Sequence, residues 1–203
     1  MAEITLFKGD LPDDVYFNGS VAVDTETMGL NLHRDRLCLV QLSGGDGRAV
    51  LVQILSGVDC PNLKRLLRDK NVLKIFHFAR FDVAKILNDL GVVTTPVYCT
   101  KIASKLCRTS SPTHGLKSLC ADLLGVELEK EQQTSDWGAG DLTEAQLKYA
   151  ANDVLYLHAL KEKLDALLIR EGRAAIAQEC FAFLPTRAKL DLLDFTDPDI
   201  FNH

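Results

Sequence analysis

The sequence lacks most of the features that place a protein by composition. Its six cysteines (Cys38, Cys60, Cys99, Cys107, Cys120, Cys180) form no C-x-x-C pair, so neither a zinc ribbon nor a thiol redox motif is signalled. The expectation is reduced, mostly buried thiols. The five histidines show no ligand spacing. Nowhere do the about 18 consecutive apolar residues of a membrane span occur, and the start, MAEITLFKGD, has neither a basic region nor an apolar run. These absences point to a soluble, cytoplasmic protein with no membrane partner. Positive charge is not in excess either: the net charge is −5, which argues against a basic surface coating long nucleic acid. Any nucleic-acid substrate should be small or locally held. Low-complexity tracts and internal repeats are also missing.

What remains is an ordinary globular mixture, 47% hydrophobic and 25% charged over 203 residues. A chain of that length buries about 70% of its unfolded surface around one core, so a single domain over residues 1–203 is expected. Val21 to Thr27, Leu37 to Ser43 and Arg48 to Ile54 read as strands, the last two joined by the turn GGDG, and the three suggest an antiparallel meander. Pro61 to Arg68 reads as a helix with Pro in its first turn. Lys74 to Phe78 reads as a strand feeding a helix from Arg80 to Leu90 that stops at Gly91, and Pro96 to Cys99 as a further strand. Helical periodicity then covers Thr100 to Cys107, Gly115 to Leu124, and one long segment from Leu142 to Arg170, with a capping box at Thr143 and Gln146. Strands early, alternation in the middle and helices late predict an α/β protein, a mixed sheet flanked by helices. Residues 172–203 form a helical or tail extension. After Pro185 it carries Leu190, Leu192, Leu193, Phe195, Ile200 and Phe201, apolar residues suited to capping the core or docking on another subunit.

Within Val21 to Leu30, VAVDTETMGL, two carboxylates interrupt an apolar strand. Side chains two apart leave a strand on the same face, so Asp24 and Glu26 are neighbours. Burying one unpaired carboxylate costs several kcal/mol, against about 1.5 to 3 returned by each flanking valine, so the pair requires a cation. The anomaly recurs twice. Asp82 in HFARFD falls in the first turn of a helix, where it also complements the helix dipole. In YAAND, Tyr149 and Asp153 are four apart on one helical face, with two alanines between them that permit close approach.

D-x-E on a first strand, an Asp after a later strand and Y-x-x-x-D on a late helix, in this order, resemble the DEDD superfamily of 3′-5′ exonucleases. The last motif carries Tyr, and the position five before the last Asp, where other members place His, is Lys148. The likeness runs from about Val21 to Leu160, includes QQTSDW (132–137) and LTEAQLKYAANDVLYL (142–157), and is nearest to the ribonuclease D family. Within that family HRDRLCLVQL (33–42), KIFHFARFD (74–82) and CTKIASKL (99–106) are similar to the nanoRNase C group.

The resemblance implies a ribonuclease H-like, DnaQ-like exonuclease fold in which Asp24, Glu26, Asp82 and Asp153 hold two divalent ions, Mg²⁺ or Mn²⁺. Hard oxygen ligands suit those ions, and two of them stabilise the attacking and leaving oxygens of an in-line displacement. By analogy, one ion among Asp24, Glu26 and Asp153 carries the attacking water, and the other, near Asp24 and Asp82, takes the leaving 3′ oxygen. Tyr149 is catalytic by orienting that water. Leu30 matches the leucine wedge of related oligoribonucleases, with Met28 lining the same pocket. Both positions also read as ordinary core. His77 and Arg80 are candidates for phosphate, and Trp137 for base stacking, although a single Trp is more often structural.

Ribonuclease D carries further helical domains after its catalytic domain, which the stretch following Asp153 is expected not to supply. With the acidic balance, this favours short single-stranded RNA, down to dinucleotides such as pGpG, degraded to 5′-mononucleotides. The nanoRNase C likeness further implies a homo-octamer. Two rivals remain: a general exonuclease on longer DNA or RNA, since nothing from Asp24 to Asp153 reads a 2′-hydroxyl, and a non-catalytic nucleic-acid-binding module.

Overall fold

The computed structural model describes residues 2–128, 135–196 and 198–202. Six strands of the described residues form one mixed sheet: β1 (Glu3–Lys8), β2 (Ser20–Thr27), β3 (Leu37–Ser43), β4 (Arg48–Gln53), β5 (Leu73–Phe76) and β6 (Val97–Cys99). Their order is β1-β4-β3-β2-β5-β6. The meander β2-β3-β4 is antiparallel, while β1 runs parallel to β4, β5 to β2, and β6 to β5. Among the described residues, seven helices accompany the sheet: α1 (Pro61–Arg68), α2 (Ala79–Leu90), α3 (Thr100–Cys107), α4 (Leu116–Leu124), α5 (Glu144–Leu155), α6 (Leu157–Arg170) and α7 (Ala174–Leu192). Among the described residues, no helix is long and apolar enough to cross a membrane.

The two faces of the sheet bury different things. On β2, Val21 and Val23 are fully buried in the main core with Val40, Leu42 and Val52 of the meander and residues of α2, α6 and α7. The opposite face carries Leu39 and Leu51 into a smaller cluster with Trp137 and Ala150, which α5 closes. Alternation along β2 therefore directs Asp24 and Glu26 toward α5 and Thr25 toward the main core.

Three expectations are corrected. The N-terminal segment, not anticipated as a strand, is β1 on the edge of the sheet, in register from Glu3 opposite Arg48 to Lys8 opposite Gln53. The segment from Leu142 to Arg170 is two helices, broken at Tyr156, which caps both. The tail does not begin at Pro185, because α7 runs through that proline. Ala177, Phe181, Leu184 and Ala188, spaced as one helical stripe, are buried, and this packing outweighs the missing N–H. Only beyond α7 do Leu193, Phe195, Ile200 and Phe201 lie exposed. The capping box at Thr143 and Gln146 is present, with Gln146 N–H donating to Thr143 Oγ1 and Thr143 N–H to Gln146 Oε1. All six cysteines are free thiols, five of them buried.

Candidate active site

β2 lies inside the sheet, so the carboxylates on its α5-facing side are screened from water by neighbouring strands and by the helix. Opposite Asp24 on β3 stands Gln41, whose Nε2 donates to Asp24 Oδ2 at 3.4 Å. Gln41 is fully buried, hidden in the run LCLVQL, and nothing in its spacing marked it beforehand. From α5, Asp153 reaches the same place: oxygens of Asp24, Glu26 and Asp153 all lie within 4.8 Å of one another. Tyr149, one turn earlier, borders the same cleft.

Asp82 stands just behind this trio. It is almost wholly buried at the start of α2, and Thr25, from the other face of β2, donates its hydroxyl to Asp82 Oδ1 at 2.5 Å. Its charge still reaches Asp24, Glu26 and Asp153. Burial raises all four carboxyls, and neighbouring acids raise Asp24, Glu26 and Asp153 further. Burial, then Asp153 and Asp82, push Glu26 up to about 9. Burial lifts Asp82 to about 7 against the lowering bond from Thr25. Asp153 also rises to about 7, through burial and then the charge of Asp82. Asp24 goes well above the carboxylate range, from burial first and then from Asp82, Asp153 and Glu26. Such a cluster cannot be fully ionised at neutral pH without a compensating cation. Hard oxygen donors so close together fit a divalent cation such as Mg²⁺ or Mn²⁺. Tyr149 is shifted upward by burial and then by Asp153, Glu26 and Asp24, so it keeps its proton at neutral pH.

The acids open into a cleft of about 820 Å³. Between Glu26 and Thr27 the pairing of β2 with β3 shifts register, and this irregularity turns the strand end toward the cleft. Met28 and Leu30 follow, 60% and 84% exposed, so neither is a core residue. Their loop is fixed from behind. Asp35 accepts from Asn31 N–H and from Arg34, while the buried Lys85 of α2 donates to Leu32 O at 2.9 Å and pairs with Asp89 at 2.7 Å.

The other substrate candidates divide. His77 lines the cleft, but its Nδ1 engages Thr100 Oγ1 at 2.9 Å, and burial, aided by Lys101, lowers it to about 4. It is neutral at pH 7 and brings no charge to a phosphate. Arg80 is a correction. Two residues from Asp82 on a helix, it points away from the cleft and binds Asp191 of α7 through two nitrogens, at 2.8 and 2.7 Å. Trp137 also borders the cleft, but at 2% exposure it offers a base little surface, and its ring braces Tyr149 with centroids 6.1 Å apart. Among the described residues, the cations that do line the cleft are Lys101 and Lys117, beside Ser118, none of them expected there from the sequence. They come from α3 and the first turn of α4, which only the tertiary fold brings opposite β2. Of the stretch 132–137, residues 132–134 lie outside the described residues.

Comparison with known proteins gives a consistent picture. Residues 11–169 match the family described as 3′-5′ exonuclease. Ribonuclease D of Acidiphilium cryptum is 37% identical over 153 residues, 75% of this chain and 39% of its own length. The chain thus spans about two fifths of the curated relatives it matches. Among solved structures, Brucella melitensis NrnC superposes with a TM-score of 0.96 at 54% identity, covering 99% of this chain and 98% of that one. The same Brucella protein has been solved bound to pGG (53% identity, TM-score 0.96) and with bound Mg²⁺ (52%, 0.94), with at least 99% of each chain covered.

Proposed function

The chain belongs to the 3′-5′ exonuclease family, and from that premise we propose that it is a metal-dependent exoribonuclease that shortens RNA oligonucleotides from the 3′ end, down to dinucleotides such as pGpG, releasing 5′-mononucleotides. The observation that carries this reading is the convergence of Asp24, Glu26 and Asp153 within 4.8 Å, backed by Asp82, at one side of a cleft that also presents two lysines. Asp24, Glu26, Asp82 and Asp153 would hold two divalent cations. Bound there, such ions supply an activated water and offset the charge that develops on the phosphoryl oxygens.

The protein's own groups do the rest. Gln41 and Thr25 keep Asp24 and Asp82 in fixed orientations through their hydrogen bonds. Tyr149, braced by Trp137 and holding its proton, directs its hydroxyl to the attacking water and orients it. Water adds to phosphorus and gives up a proton to solvent, the P–O3′ bond breaks, and the electron pair leaves on the 3′ oxygen of the shortened chain, which takes up a proton from solvent to become a 3′-hydroxyl. Lys101 and Lys117 meet phosphate oxygens, and Leu30, with Met28, enters between the last two bases. A cleft of about 820 Å³ lies within the range of small-ligand sites, which supports a substrate gripped over few nucleotides. The pGG held by the Brucella relative supports the same size. Six free thiols fit action in a reducing, cytoplasmic setting. The apolar residues left exposed beyond α7 support self-association, for which the nanoRNase C likeness implies an octamer; a monomeric mass by light scattering would remove that element.

The test is a length series of 5′-labelled RNA, from the dinucleotide upward, with matched DNA, in Mg²⁺ and in Mn²⁺. Stepwise loss from the 3′ end, fastest for short RNA and absent in Asp24→Ala and Asp153→Ala, is expected. Retained activity in both variants, or equal or faster loss of long DNA, overturns the proposal.

A further inference from the structure

We propose that Arg36 is a positioning residue of the substrate grip: its guanidinium holds the backbone at Gly138 against Met28, and so fixes the side chain that meets the terminal base. The inference rests on the exonuclease reading and deepens it.

Two irregular stretches wall the cleft, Met28 to Leu30 after β2, and Ser135 to Trp137 ahead of α5. Neither belongs to a helix or strand, so side chains must fasten each in place. The carbonyls of the second stretch and its continuation are held one after another. Gln146 Nε2 donates to Asp136 O at 3.2 Å, Gln53 Nε2 to Ala139 O at 2.9 Å, and Lys8 Nζ to Gly140 O at 3.0 Å. Arg36 takes the carbonyl in the middle, Gly138 O, through Nη2 at 3.3 Å. Its Nη1 donates to Ile54 O at 3.2 Å and Leu37 O at 3.4 Å, at the end of the β3–β4 pairing. The guanidinium is thus anchored on the sheet and reaches out to the wall. A planar fork with donors in several directions can do this; a single ammonium cannot match all three carbonyls.

Of these four fastening residues, Arg36 is the one bonded to both walls. Its own carbonyl accepts from Met28 N–H at 3.1 Å, just after the register shift at the end of β2. The walls meet at Gly138. A Cβ built there would lie 3.4 Å from Met28 Sδ and 3.5 Å from Met28 Cε, so the thioether rests on bare backbone. Met28 is unbranched and mostly exposed, and little else confines it. Where the backbone at 138 sits therefore decides where the thioether lies, and the Arg36 guanidinium decides where that backbone sits.

The experiment is steady-state kinetics on a dinucleotide RNA in Mg²⁺ for the wild type, Arg36→Met, Arg36→Lys, Met28→Ala and the double variant Arg36→Met with Met28→Ala. Methionine keeps the apolar stem and removes the donors. Arg36→Met should raise KM about fivefold, the loss expected for one hydrogen bond from a charged donor, with kcat and the metal-induced Tm shift unchanged. Arg36→Lys should fall between Arg36→Met and the wild type. In the Met28→Ala background Arg36→Met should add little, because its effect passes through Met28, whereas a merely structural role would multiply KM equally in both backgrounds. Equal factors in the two backgrounds, an unchanged KM in Arg36→Met or in Met28→Ala, or a fall in kcat together with a lost metal shift overturns the positioning role and leaves the exonuclease reading intact. If Arg36→Met does not fold, Arg36→Lys carries the same two-background comparison. A wild type that does not cleave the dinucleotide or longer RNA removes the exonuclease reading itself, and the role of Arg36 falls with it.

Discussion

Asp153→Asn should make the metal-free protein more stable while removing its activity. Asp153 is raised from 3.8 to about 7 by burial and by the charge of Asp82. A carboxyl with a raised folded pKa contributes stability that is fully present below about pH 4 and lost as pH rises through about 7. At about 1.4 kcal/mol for each pH unit between the two values, the ionised group withholds at most about 4 kcal/mol from the folded state. Glu26, pushed up to about 9, still holds its proton near pH 8, so the cost to Asp153 comes from burial and Asp82. An amide, which still bears the cost of burying its polar atoms, should recover about 1 to 2 kcal/mol of it, equivalent to roughly 2–8 °C in Tm for a domain of this size. The assay is thermal unfolding in chelator at about pH 8 and about pH 5, where the wild type should gain stability on acidification and the variant should gain less. A variant no more stable than the wild type at the higher pH, with no pH dependence in either, would refute the electrostatic account of the cluster.

Other outcomes follow from the same geometry. Mg²⁺ or Mn²⁺ should raise the wild-type Tm more at about pH 8 than at about pH 5, because protons and cations compete for the same oxygens; equal shifts would count against those ligands. Tyr149→Phe should lower kcat with the metal-induced Tm shift intact, and unchanged turnover would remove its positioning role. Gly29→Ala would place a methyl 2.9 Å from Asp35 Cγ and nearer still to its Oδ2. The loop bearing Met28 and Leu30 must then move, so KM for short RNA should rise severalfold while metal binding stays; an unaltered KM would detach that loop from the substrate.

The acids and Tyr149 were legible because each broke a local rule: a carboxylate inside an apolar strand, or one face of a helix shared by a phenol and an acid. The meander was legible because alternation and the turn GGDG agree. What escaped notice was set by distant packing. β1 is a short edge strand whose register depends on β4, and α7 is held against α2 despite Pro185. Gln41 looked like any polar residue in an apolar run until β3 placed it opposite Asp24. Arg80 was assigned to phosphate by proximity in sequence, yet two positions along a helix turn a side chain to another face, where Asp191 meets it. Lys101, although inside CTKIASKL, and Lys117 break no local rule and reach the cleft only through the arrangement of α3 and α4.

The pairing of β2 with β3 has a consequence for how the chain finds its fold. Asp24 opposite Gln41 and Glu26 opposite Leu39 put both acids on the side covered by α5. A slip of one residue would exchange them with Val23 and Thr25, driving two carboxylates into the main core and leaving a valine where the cation belongs. Each buried, unpaired carboxylate costs several kcal/mol, a large part of a typical domain's net stability. The residues proposed for hydrolysis therefore also act as a proofreading device on the sheet, since the wrong register is penalised by the groups that make the right one useful.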